Sequence, residues 1–120
     1  MQKHSRITTE GRAFWYTERL WREAADLPVN NVPIDDVPEL DMNCWFREPP
    51  TCREIAEHAR QILDADLSFP IILSSDARLM DGGHRLARAW LEGRTTVLAQ
   101  RFERDPEPDY IEPLQPAVAQ

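Results

Sequence analysis

A chain of 120 residues with 42% hydrophobic content has the length of one folded domain and leaves no room for a second core of useful size. Its formal charge of −7 excludes a general affinity for nucleic-acid backbones or anionic membranes, which bind net positive surfaces, so any basic site must be local. Four tryptophans and four phenylalanines supply enough large apolar area for a packed interior despite ten prolines.

The opening residues, Met1-Gln2-Lys3-His4-Ser5-Arg6, carry no apolar run, and no later apolar stretch could span a bilayer, so the chain reads as a cytoplasmic protein without membrane contact. From Arg12 to Asp26 there is no Gly or Pro, and aromatics mix with charges. That pattern predicts a helix whose aromatics pack, within an N-terminal helical extension over residues 1–31. Pro28, Pro33 and Pro38 then break helical structure, and Val32 to Val37 predicts a short edge strand leading into a turn.

Cys44 and Cys52 are the only cysteines and read as reduced thiols in a partly buried segment. With His58 they offer three zinc-type ligands, but close Cys-x-x-Cys spacing and a fourth ligand are lacking, and no metal site is assigned. Thr51 and Glu54 form a capping-box pattern directly after Pro49-Pro50, and Ile55, Ala59, Ile62 and Leu63 recur on one face, which predicts a helix over 51–65. His58, near Glu54 and Glu57 on the polar side, reads as a solvated surface histidine.

Phe69 to Leu73 predicts a buried strand, Ser74 to Ala77 a turn, and Arg78 to Met80 a second strand. A helix over 82–92 follows, ended by Gly93, and Thr95 to Phe102 predicts a returning strand. The expected fold is therefore α/β (α+β), a small mixed sheet with packed helices over residues 32–102. Beyond Phe102, acids alternate with Pro106, Pro108, Pro113 and Pro116, so residues 103–120 read as a solvated, mobile tail. Its alternative roles are covering the basic turn or docking a partner.

Asp81-Gly82-Gly83-His84-Arg85 carries the chemistry. At about 100° per residue, Gly83, Leu86, Ala87, Trp90 and Leu91 share the arc expected to face the core, while His84, Arg85 and Arg88 share another. Cationic side chains in a first helical turn oppose the helix dipole, a cost an anion would offset, and the free N–H groups there already favour phosphate. Gly82 and Gly83 let backbone approach that anion closely. The bland alternative is that Asp81 itself is the anion, capping the helix and pairing with Arg85.

With the strands before it and the helix-Gly-strand after it, the run from Pro70 through Asp81-Gly82-Gly83-His84-Arg85 to Ala89 resembles the ParB/sulfiredoxin superfamily over residues 32 to 102. The resemblance implies that Gly82-Gly83-His84-Arg85 opens a helix and binds nucleotide phosphates. Sulfiredoxins carry a catalytic cysteine where Gly83 stands, so peroxiredoxin repair is not expected. The DNA-binding segments that follow this domain in chromosome-partitioning ParB proteins have no counterpart after Phe102. The pattern Asp-Gly-x-His-Arg is also similar to that of free-serine kinases.

The leading expectation is a nucleotide-binding protein in which Gly82, Gly83, His84, Arg85 and Arg88 hold the phosphates of ATP, ADP or CTP, with magnesium at Asp81. If the protein is an enzyme, an NTPase or phosphotransferase, His84 and Asp81 are the catalytic candidates, and the base comes from Asp35, Asp36, Glu39 or Asp41. The alternative is a non-catalytic protein-interaction module anchored by Trp15, Trp21, Trp45 or Phe46, most of whose rings are otherwise expected in the core. Neither reading involves direct DNA or membrane binding, and both are compatible with a homodimer.

Overall fold

Ile71, Ile72 and Leu73 form β4 (Ile71–Leu73), and all three are buried, as expected of a central strand covered on both faces. In the computed structural model, which describes residues 1–114, the expected turn follows it: Ser74 N–H donates to the Arg78 carbonyl at 2.8 Å and returns the chain as β5 (Leu79–Asp81), antiparallel to β4. Helix α3 (Gly83–Leu91) then carries the chain to β6 (Thr96–Arg101), parallel to β4, and β3 (Val29–Pro33) closes the other edge. The order is β3-β6-β4-β5, a small mixed sheet. The edge strand lies three residues earlier than the sequence pattern suggests, because Ile34–Asp36 turns into a 3-10 helix that buries Ile34 and brings Val37 into the core.

Helix α2 (Cys52–Asp64) begins with the predicted capping box, in which Thr51 Oγ1 accepts from Glu54 N–H at 3.2 Å and Glu54 accepts from Thr51 N–H. Its apolar face is not buried: Ile55 and Leu63 are 53% and 58% exposed. On α3 the core contact comes from Leu86 and Ala89, while Trp90 and Leu91 are exposed, so the buried arc is rotated from the expected one. Gly93 stops α3 at φ 77°.

Residues 1–31 are not a helical extension. Lys3–Thr8 and Gly11–Tyr16 form an antiparallel hairpin, β1 and β2, and only Thr17–Ala24 is helical, as α1. Gly11, Ala13 and Trp15 are buried and their neighbours are not, a period of two that outweighs the absence of helix breakers. The acidic tail is also structured. Tyr110–Glu112 forms β7 against β2, Trp15 Nε1 donates to the Pro106 carbonyl at 2.8 Å, and the Asp109 carboxylate accepts from Tyr16 N–H at 2.8 Å. Tail acids thus satisfy backbone donors of a distant segment, which composition alone does not show. Pro116 and the rest of 115–120 lie outside the described residues.

The second sheet, β1-β2-β7, and α1 cover the face of the mixed sheet that carries Ile72 and Met80, closing a cluster with Ala13, Trp15, Leu20, Ala24 and Phe102. The opposite face packs Ile71 and Leu73 against Leu86, Ala89, Val97 and Ala99. No helix among the described residues is long and apolar enough to cross a membrane. Of the four tryptophans only Trp15 is buried; Trp21, Trp45 and Trp90 are 49%, 38% and 62% exposed, against the expectation that most such rings pack inside.

Candidate functional site

The junction of β5 and α3 forms the centre of the site. Gly82 sits at φ 108°, and a Cβ there would stand 2.6 Å from Ile71 Cγ2 and 3.0 Å from Arg85 Nη2, so glycine is required twice over. The first intrahelical bond runs from Leu86 N–H to the Gly82 carbonyl at 2.9 Å. No side chain caps the helix start, which leaves the N–H groups of its first turn open at the positive end of the dipole. Asp81 is therefore not the cap. Its carboxylate accepts from Trp21 Nε1 at 2.8 Å and from Arg85 Nη2 at 2.9 Å, and this pairing draws Arg85 back along the first turn. Arg85 Nε is buried with no partner, a donor left unsatisfied beside the open helix start.

His84 leaves the first turn toward α2, where its Nε2 lies 2.9 Å from His58 Nδ1. His58 is thus part of the site rather than a solvated surface histidine; the turn of α2 that carries it packs against α3. One ring must accept in this bond, so the pair cannot hold both imidazoles doubly protonated without breaking it. Burial, then the neighbouring His58 and Arg85, push the His84 pKa below its usual value, partly offset by Asp81, so His84 is neutral near neutral pH. Trp45 covers the pair, its ring 4.7 Å from His84 and within 5° of parallel, and 4.9 Å from His58.

A cleft of about 890 Å³ opens over this turn, walled on its far side by the N-terminal hairpin. Lys3, Arg6, Arg12, Arg78 and Arg85 line it with the carboxylates Glu39, Asp66 and Asp81; Arg78 and Arg85 are paired with Glu39 and Asp81 and Arg6 with Asp76, so that among the described residues Lys3 and Arg12 are the lining cations in no salt bridge. On a chain of net charge −7 this is the local basic site that composition requires of any anion binder. His4 also lines the cleft, with a pKa pushed down to about 4 by burial and by Arg6, so it is neutral too.

The predicted site residues Asp81, Gly82, Gly83, His84 and Arg85 come together at this cleft. Arg88 does not: its guanidinium donates to Glu92 Oε1 at 2.8 Å and to the Leu63 carbonyl, tying α3 to the end of α2. Among the candidate bases only Glu39 lines the cleft, and it is held by Arg78 Nε at 2.6 Å and Leu79 N–H at 3.2 Å. Asp35 and Asp41 face a separate groove beside Trp90. Cys44 and Cys52 are free and exposed rather than partly buried, and no cluster of three or more His, Cys, Asp or Glu among the described residues is arranged to hold a metal ion.

Sequence reasoning missed His58, Trp45 as a partner of His84, and the cations of the hairpin. His58 carries no local signal, since it meets His84 only through helix packing. The alternation of Ala13 and Trp15 was the one available sign of a strand that would bring Lys3 and Arg6 to the turn. No protein-family model, curated protein or solved structure matches the chain.

Proposed function

We propose that this is a cytoplasmic nucleotide-binding protein, a ParB/sulfiredoxin-like domain that holds the phosphates of ATP, ADP or CTP on the Gly82–Arg85 turn. The observation that carries this reading is the uncapped start of α3, which opens into a cleft lined by five cationic side chains on an acidic protein, three of them paired with carboxylates that an anion would have to displace and two, Lys3 and Arg12, in no salt bridge among the described residues. Gly83 and His84 supply backbone donors, and Arg85 supplies a guanidinium that an arriving phosphate would draw from Asp81. A displaced Asp81 carboxylate is then the natural ligand for nucleotide-bound magnesium.

Phosphoryl transfer is the chemistry such a site would add. In that reading the catalytic candidates are Asp81 and His84, whose Nε2 is already taken by His58, and Glu39 is the expected base that lines the cleft. Arg88, committed to α2, has no part in it. A second reading, a protein-interaction module, draws on the exposed Ile55, Leu63, Trp90 and Leu91 of α2 and α3.

Calorimetric titration of the protein and of Arg85→Ala with ATP, ADP, CTP and GTP, with and without magnesium, tests the assignment. Binding that weakens at least tenfold in a folded Arg85→Ala protein is expected. Equal affinity in both proteins would refute the phosphate role of the turn.

A further inference from the structure

The centroid separations of Trp45 to His84, Trp45 to His58 and His58 to His84 are 4.7, 4.9 and 5.1 Å, a nearly equilateral triangle. Rings on opposite faces of an indole would stand almost twice as far from each other as from the indole. Both imidazoles therefore lie against one face of Trp45. Among the described residues no other aromatic ring or cation stacks on the second face, and Trp45 is 38% exposed, standing between the cleft and the apolar groove beside Trp90 and lining both.

The ring is also held in place. Asn43 Oδ1 accepts from the N–H groups of Trp45 and Phe46 at 3.3 and 3.0 Å, and Asn43 Nδ2 donates to the Phe46 carbonyl at 2.9 Å, an Asx turn that fixes the backbone of the tryptophan. Phe46 meets Trp45 edge-on at 6.5 Å. The indole Nε1 would lie 3.2 Å from a Cβ on Gly83, so the edge of the ring abuts the first residue of α3. A planar group on the free face would thus sit beside the phosphate turn, within the short reach from base to phosphates of a mononucleotide.

We propose that the free face of Trp45 is the stacking platform for the base of the bound nucleotide, favouring purines over pyrimidines. This rests on the phosphate role of the α3 turn and specifies the base beside it. An indole presents a bicyclic π-face, and a purine covers more of it than a pyrimidine does; stacking of this kind needs no hydrogen-bonding edge and follows the area of overlap. The His58–His84 pair backs the other face of the ring and fixes its plane.

The test is calorimetric titration of the wild type, Trp45→Ala and Trp45→Phe with ATP, GTP, CTP and inorganic tripolyphosphate. The wild type is expected to bind ATP and GTP severalfold tighter than CTP and about tenfold tighter than tripolyphosphate. Trp45→Ala should bring ATP down to the affinity of tripolyphosphate while leaving tripolyphosphate unchanged, and Trp45→Phe, which keeps a ring on the platform, should recover part of the difference. If tripolyphosphate binds as tightly as ATP to the wild type, or Trp45→Ala weakens both alike, the platform is refuted while the phosphate turn stands. If neither nucleotides nor tripolyphosphate bind, the turn itself is refuted and the platform with it.

Discussion

Replacing His4 by glutamine should flatten the acid limb of the stability curve. His4 sits on β1 with its ring 5.6 Å from that of buried Trp15, and burial, reinforced by Arg6, holds its pKa at about 4 against an ordinary 6.5. As pH falls below 6.5 the unfolded chain takes up a proton that the folded chain refuses until about 4. Folding is therefore favoured fully above this window and progressively less within it. At 1.36 kcal/mol per pH unit, the gap between 6.5 and about 4 is worth about 3.4 kcal/mol, of which about 2 kcal/mol is already lost at pH 5. Urea unfolding monitored at several pH values from 7.5 to 4 measures this directly. The wild type should lose about 3 kcal/mol more than His4→Gln across that range, since His84 and the carboxylates titrate in both proteins. Parallel curves for the two proteins would refute the assignment of His4 as a ring buried in its neutral form.

Gly82→Ala combines a left-handed backbone with a methyl group 2.6 Å from Ile71 Cγ2, and should cost about 2–4 kcal/mol, read as a lower urea midpoint with α3 displaced from β5. Ending the chain after Glu103 removes the carboxylates that accept from Ser75 N–H and Tyr16 N–H and the carbonyl that accepts from Trp15 Nε1. A loss of about 3 kcal/mol is expected from the two charge-assisted bonds and the neutral one, and an unchanged midpoint would return residues 104–114 to the status of a solvated tail.

Sequence patterns revealed elements whose determinants are local. The Thr51–Glu54 box marks the start of α2 because both partners lie within four residues, and Gly93 marks the end of α3 for the same reason. The triplet Ile71-Ile72-Leu73 and the turn after it gave the central hairpin of the mixed sheet. β7 was not legible because its partner is remote in sequence: Phe14 pairs with Tyr110, and their rings stack at 4.7 Å. The N-terminal hairpin is local, Thr8 pairing with Gly11, and was missed because the period of two over Gly11, Ala13 and Trp15 was outweighed by the absence of helix breakers. The site divides in the same way. Gly82, Gly83, His84 and Arg85 form one contiguous turn, whereas His58, Trp45 and the hairpin cations reach it only through tertiary packing, which no local pattern encodes.

The pairing of β2 with β7 has a consequence for the order of assembly. Ala13 pairs locally with Arg6 but meets its second partner, Ile111, only across a long stretch of chain, whereas the central hairpin and α3 close on neighbours a few residues away. Loop-closure entropy therefore places the two local hairpins, β1-β2 and β4-β5, and the phosphate turn early in folding, and the remote pairings of β3 with β6 and of β2 with β7 late. On the ribosome, the half of the cleft that carries Lys3, Arg6 and Arg12 waits for Tyr110–Glu112 to emerge before it is fully secured. A released chain ending near Phe102 would thus hold the turn with its cationic wall not anchored by β7.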